Sequence, residues 1–162
     1  MTRLRRLLSD MQRTVAGIIA FFRHLLGKQV VEIGLGQLRA ESTIAVRGRQ
    51  NRYLITISNA RAEPRDVTLT IDIYAEPPTD STAHYARFSK RLRARPRGST
   101  AVDVRYDWLG GADFVVGDMR APADDLWRGG PHRSSAYSVN ASLLDPSGHR
   151  LERLTVYQTL TP

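Results

Sequence analysis

The sequence predicts a mostly β protein, a two-sheet antiparallel sandwich of seven or eight short strands behind a basic amphipathic helix. Three observations carry that prediction. Residues 1–28, "MTRLRRLLSDMQRTVAGIIAFFRHLLGK", are rich in arginine and leucine and contain no proline. From Gln29 onward apolar residues recur at every second position rather than every third or fourth. Turn signals such as "DPSGH" punctuate that alternation.

In the opening segment Leu4, Leu8, Met11, Val15, Ile18, Phe22 and Leu25 recur at steps of four and three, and Leu7, Ile19 and Leu26 widen the stripe. The apolar sector spans roughly 120° on a wheel of about 100° per residue. Arg5, Arg6, Arg13, Arg23 and His24 fall on the other side, with Arg3 and Lys28 nearer the flank. The segment holds six Arg or Lys residues and a single acid, Asp10. A membrane span needs about 20 apolar residues. The run from Val15 to Phe22 is cut short by Arg23 and His24, which also stand where a signal peptide would carry its cleavage region. Two readings stay open. An in-plane helix would bury its stripe at the acyl boundary while its arginines meet anionic headgroups. Alternatively, the helix packs on its own domain or on a partner protein.

The body alternates. "VVEIGL" places Val31, Ile33 and Leu35 on one face, "STIAV" places Ile44 and Val46, and "YLITISN" places Tyr53, Ile55 and Ile57. "RDVTLTIDIYA" is the clearest case, with Val67, Leu69, Ile71 and Ile73 inward and Thr68, Thr70 and Asp72 outward. The prolines of "AEPP" end that strand, because proline cannot donate to a ladder. "HYARFSKRLRAR" and "STAVDVRYDW" are expected to pair around "PRGS", and "SAYSVNASLL" to pair with "RLERLTVYQTL" around "DPSGH". Between them "LGGADFVVGDMRAPADDLWRGGPHR", about residues 109–133, reads as a long inserted loop. Loops beyond about 12–15 residues are functional or partly structured. Its apolar residues either fold back over one end of the sandwich or form a partner-binding loop. In the second reading Phe114, Met119 and Trp127 are the contacts and Trp127 is the anchor.

"NRYLITISNARAEPRDVTLTIDI" resembles the B–C strand region of bacterial immunoglobulin-like domains of the CARDB and FixG C-terminal kind. Those domains often read as a "Y-x-I-x-I-x-N" strand, a proline-containing turn and "V-x-L-x-I". The closing "YSVNASLLDPSGH" is similar to their F–G hairpin. The resemblance covers about residues 42–162. It implies an immunoglobulin-like sandwich and a non-catalytic role in adhesion, assembly or spacing.

The 162 residues suit one domain, 29–162, plus an appendage, 1–28. With 41% hydrophobic and 25% charged residues the composition is that of an ordinary globular protein. No cysteine is present, which excludes disulfides, thiolate catalysis and zinc–thiolate sites. A net charge of +8 and a pI near 10.6 favour acidic partners: lipid headgroups, nucleic acid or an acidic protein surface. All but two of the 24 basic residues are arginine, as a GC-rich genome would encode.

Motifs for chemistry are missing. "GLGQLR" at Gly34–Arg39 lacks the third glycine of a dinucleotide fingerprint. His24, His84, His132 and His149 are scattered without ligand-pair spacing. No further oxygen ligands cluster beside Asp124 and Asp125. Ser134 and Ser135 have no glycine-framed nucleophile turn. No catalytic residue, cofactor, metal or small-molecule substrate is expected.

The arginine row is more informative. Arg87, Arg91, Arg93, Arg95 and Arg97 share the parity opposite Ala86, Phe88 and Leu92, so they are expected on the outer face. Asp103 and Asp107 on the next strand are expected across from Arg91 and Arg87, neutralising part of the row. The row is then either a solvated, partly paired face or an anion-facing patch for phosphate headgroups or an acidic protein. Nucleic acid is the weaker option, since no aromatic platform interleaves the arginines.

Together these features predict a non-enzymatic accessory or structural subunit. It would dock at a membrane surface, or on a large membrane protein complex such as a respiratory or photosynthetic assembly, through its N-terminal helix. The cytoplasmic face is favoured over the periplasmic one. The alternative is a soluble basic binding module for nucleic acid or an acidic protein.

Overall fold

A computed structural model describes residues 32–76, 84–129 and 136–161. The helix expected over 1–28 lies outside the described residues. Alternation within them becomes eleven strands: β1 (Ile33–Ala40), β2 (Ile44–Val46), β3 (Gln50–Asn59), β4 (Arg65–Glu76), β5 (His84–Ala94), β6 (Gly98–Asp107), β7 (Ala112–Val116), β8 (Met119–Pro122), β9 (Asp125–Arg128), β10 (Ala136–Leu144) and β11 (Arg150–Thr161). One sheet has the order β1-β3-β6-β7-β8 and the other β2-β11-β10-β4-β5-β9. Their pairings are antiparallel except for β2 with β11.

The strand count exceeds the expected seven or eight because the stretch 109–133 contains β7, β8 and β9 instead of an open loop. Gly117, at φ 59, makes the tight turn between β7 and β8. The chain then crosses to the other sheet, where β9 pairs with β5. Strands of four or five residues are too short for an alternating pattern to reveal.

Inward faces follow the sequence closely. Tyr53, Ile55, Ile57, Val67, Leu69, Ile71 and Ile73 are buried, and so are Tyr137, Val139, Ala141 and Leu143 on β10. In β2 the inward residue is Ala45, while Ile44 is 52% exposed, so the expected parity of that strand is reversed. Parallel pairing of β2 with the end of β11 imposes this, because Ala45 sits beside the inward Leu160. Thr70 and Asp72 point away from the core as expected but are buried. Arg87 reaches Asp72 at 3.4 Å, and Arg153 donates to Asn140 Oδ1 on the neighbouring strand.

The sheets meet through aromatic rings. Phe88 of β5 stacks on Tyr106 of β6 at 4.9 Å and meets Phe114 of β7 edge-on at 6.0 Å. Trp108 packs against Tyr137 of β10 at 4.8 Å. Each such ring buries roughly 150–250 Å². Burial pushes the Tyr106 hydroxyl up to about 12. Tyr53 Oη donates to Gln158 Oε1 at 2.7 Å, and Gln158 Nε2 donates to the Ser42 carbonyl at 2.7 Å, so this buried polar pair is satisfied.

The expected hairpin of β5 with β6 does not form. β5 pairs with β4 and β9, whereas β6 pairs with β3 and β7 in the other sheet. The "PRGS" turn is therefore an arch between sheets. Period-two alternation says which face is buried but not which strand lies alongside, and here the long registers of β3 with β6 and β4 with β5 decide. The hairpin of β10 with β11 does form. Its turn is closed by Asp145 Oδ1, which accepts from the Ser147 and His149 amides at 2.9 Å, with Gly148 at φ 87.

Sheet edges are short or capped. β2, β8 and β9 have three or four residues each, and Glu152 Oε2 accepts from the Leu35 amide on the open side of β1. Because Phe88 lies at the centre of the ring contacts, Phe88→Ala is expected to cost about 3–5 kcal/mol. Chemical denaturation should show a lower midpoint with an unchanged slope.

Candidate docking surface: an arginine-bearing end of the sandwich

Two inter-sheet crossings, from β3 to β4 and from β5 to β6, lie at one end of the sandwich. Asn59 at the end of β3 is opposite Gly98 at the start of β6, and Arg65 at the start of β4 is opposite Ala94 at the end of β5. β1 also begins here, since Ile33 is opposite Asn59. The loops that meet are residues 60–64 and 95–97. They carry Arg61, Arg95 and Arg97, with Arg65 and Arg93 on the adjoining strand ends.

A buried asparagine organises both loops. Asn59 is 1% exposed. Its Nδ2 donates to the Glu63 carbonyl at 2.9 Å and to the Ala94 carbonyl at 3.5 Å, and its Oδ1 accepts from the Arg61 amide at 3.0 Å. The Arg97 amide donates to the Arg61 carbonyl at 2.8 Å. The Arg95 amide donates to Thr100 Oγ1 at 3.0 Å. Arg97 has φ 46, the only positive value at a non-glycine position among the described residues. Left-handed backbone is disfavoured for a long side chain, so the surrounding hydrogen bonds hold Arg97 there.

The guanidinium groups of Arg65, Arg93, Arg95 and Arg97 are exposed and have no ion pair among the described residues. Nearby acids are Glu32, Glu63 and Asp66. Asp66 is opposite Arg93 in the ladder without closing an ion pair. Beside the loops a depression of about 670 Å³ opens between β4, β5 and the turn joining β10 to β11, with Asp66, Thr68, Arg91, Arg93 and Leu144 in its lining.

The sequence-predicted arginine row divides. Arg87, Arg91 and Arg93 lie on β5, and Arg95 and Arg97 lie in the arch beyond it. Arg87 is committed to Asp72. Asp103 and Asp107 do not face Arg91 and Arg87, because β6 belongs to the other sheet. Asp103 instead takes Arg52 at 2.9 Å and Arg105 at 3.0 Å. Burial pushes the Asp103 carboxyl up, but hydrogen bonds from both arginines outweigh it and hold the group below the usual carboxylate range. Asp107 Oδ1 accepts from the Leu109 amide. Arg61 and Arg65 were not part of the predicted row. They join it only through the pairing of β4 with β5, for which the sequence carries no local signal.

The three predicted partner-loop contacts separate. Phe114 is 1% exposed and belongs to the core, because β7 turns Ala112 and Phe114 inward. Met119 is 74% exposed at the turn joining β7 to β8, and Trp127 is 53% exposed on β9, opposite Arg87 of the neighbouring strand β5 in the six-stranded sheet. The helix positions Leu4, Leu8, Met11, Val15, Ile18, Phe22, Leu25, Arg5, Arg6, Arg13 and Arg23 lie outside the described residues.

Among the described residues no group of three or more His, Asp or Glu can hold a metal ion, and no helix is long and apolar enough to cross a membrane. Asp145, Ser147 and His149 adjoin one another, but their order is that of a turn. Ser147 Oγ donates to Asp145 Oδ1 at 2.6 Å, so His149 Nδ1, 2.8 Å away, is not placed to take that proton.

No protein-family model matches this chain, and no curated protein matches it. Among solved structures it is similar to the alkylpurine DNA glycosylase AlkC of Pseudomonas fluorescens bound to DNA containing an abasic site analogue, at 13% identity and a TM-score of 0.48, covering 81% of this chain and 31% of that one. It is also similar to a β-glucuronidase from glycoside hydrolase family 2 at 12% identity and a TM-score of 0.44, covering 78% and 11%. A calcium-binding mutant of Bacteroides uniformis β-glucuronidase 2 has 14% identity and a TM-score of 0.45, with 79% and 13% covered. The chain thus spans less than a third of the length of each, and likenesses at this level do not bear on activity.

Two expectations follow from the geometry. Asn59→Ala should destabilise the protein by about 1–3 kcal/mol, since the carbonyl of Glu63 and the amide of Arg61 lose their partner; hydrogen exchange at the Arg61 and Arg97 amides should accelerate. Asp124, in the crossing from β8 to β9, accepts from Lys90 Nζ and from the Arg91 amide, and these donors hold its carboxyl below the ordinary range. A depressed carboxylate contributes above its unfolded-state pKa, and the contribution is lost as pH falls through the folded value. Protection of the Arg91 amide, corrected for intrinsic rate, should therefore fall on acidification below about pH 4 and should be low at all pH values in Asp124→Asn.

Proposed function

We propose that this protein is a non-catalytic accessory module whose immunoglobulin-like sandwich is held on an anionic membrane surface, or on a membrane protein complex there, by its basic N-terminal segment. The association is peripheral, at the cytoplasmic face. The observation that carries this reading is the composition of residues 1–28: an apolar stripe with six basic residues and one acid, ahead of a sandwich whose described residues form a buried core. The segment supplies five of the chain's eight net positive charges. Near an anionic leaflet each basic residue contributes about 1 kcal/mol, and burial of the stripe adds to it.

The immunoglobulin-like assignment rests on two packed sheets and on the "YLITISN" and "VTLTIDI" pattern, which form β3 and β4. A binding or spacing role is the one such sandwiches commonly serve, and the described residues offer no converging acid, base and nucleophile.

Flotation of the full chain with vesicles containing an anionic lipid tests the proposal. The wild-type chain should float at physiological salt and remain behind with neutral vesicles. Val15→Asp with Phe22→Asp should reduce partitioning by at least a hundredfold, and Arg5, Arg6, Arg13 and Arg23 changed together to Gln should do so through charge alone. Unchanged flotation of both variants overturns the docking role.

A further inference from the structure

We infer that the arginine-bearing end of the sandwich is a second contact for the phosphate groups of anionic lipid headgroups, so that the module stands end-on at the surface. This rests on the docking role proposed above and adds a defined face to it. Three features converge. Arg65, Arg93, Arg95 and Arg97 are exposed and without ion pairs among the described residues, whereas Arg52, Arg87, Arg105 and Arg120, elsewhere in the sandwich, are each closed on an aspartate. The group lies on two loops stitched by Asn59 and by the amide of Arg97, so its spacing is set by backbone hydrogen bonds and not by mobile side chains alone. Finally, β1 begins at this end, so the chain enters the sandwich beside the patch.

Guanidinium is the group suited to this task. It stays charged at every physiological pH and offers a planar fork of donors that fits two oxygens of one phosphate. Arg97 sharpens the argument. At φ 46 a glycine or asparagine would be cheaper, yet an arginine stands there. Strain at a surface arginine with no internal partner is what a binding role would retain and a purely structural one would not. The acids at this end, Glu32, Glu63 and Asp66, are outnumbered by its arginines. The site takes phosphate monoesters or diesters presented in a plane, and a lipid leaflet presents them at the density that several arginines on one rigid end can engage together.

The test uses the full chain and three variants. Arg93→Gln, Arg95→Gln and Arg97→Gly together remove three charges from the patch, and Arg97→Gly relieves strain, so folding is preserved. Arg39→Gln, Arg47→Gln and Arg49→Gln remove the same charge at the opposite end of the sandwich. The Val15→Asp, Phe22→Asp chain reports on the N-terminal segment. Partitioning onto vesicles of phosphatidylglycerol and phosphatidylcholine should fall about fivefold per arginine for the patch variant and less than twofold for the opposite-end variant. Hydrogen exchange of the bound wild-type chain should show new protection over residues 60–64 and 95–98 and none over 47–49. Equal losses in the two arginine variants would mean that net charge acts without a face, and the inference fails. If the patch variant binds as wild type while the segment variant does not, the end-on contact is wrong and the docking role stands. If neither binds differently from wild type, the docking role itself fails. Loss of single-stranded oligonucleotide binding in the patch variant with vesicle binding intact would reassign the patch to nucleic acid.

Discussion

The contact between Phe88 and Tyr106 and the rings around it governs the rest of this structure. Phe88 comes from the six-stranded sheet and Tyr106 from the five-stranded one, with Phe114, Trp108 and Tyr137 extending the seam in both directions. Apolar burial at about 25 cal/mol per Å² makes this seam a substantial contribution to stability. It also determines how the sheets face each other, and so where the chain must cross between them. Two crossings, after β3 and after β5, arrive at the same end because β4 with β5 and β3 with β6 are each paired along their length. The convergence of arginines is a by-product of that topology.

Charge is divided in a consistent way across the molecule. Five basic residues of the strands are closed on acids: Arg52 and Arg105 on Asp103, Arg87 on Asp72, Arg120 on Asp113, Lys90 on Asp124. These pairs sit on or at the margin of sheet faces, and surface pairs of this kind contribute little to stability. What they do is remove charge from the flanks. Among the described residues, guanidiniums without an ion pair remain at the loop end, on Arg65, Arg93, Arg95 and Arg97, and near the opposite end, on Arg39, Arg47 and Arg49. With a screening length of about 8 Å in physiological salt, only charges brought close to a surface contribute to holding it. A clustered end therefore acts differently from the same charges spread over the flanks.

Alternation along the chain determined the class of fold, because burying one face of a strand forces period two whatever its neighbours are. Tyr53, Ile55 and Ile57, the four apolar residues of β4 and the "DPSGH" hairpin are all readable in this way. Arginine content and the stripe over residues 1–28 likewise belong to the sequence alone. Tertiary structure decided which strands are neighbours, since pairing is a long-range choice that alternation does not encode. It placed β5 and β6 in different sheets, parted Asp103 and Asp107 from the arginines of β5, turned Phe114 into the core, and made β2 present Ala45 inward. It also brought Arg61 and Arg65 beside Arg93, Arg95 and Arg97, which lie 28 to 36 residues further along the chain. No local pattern holds that information, because the energy that selects it is released only when the two inner faces close on each other.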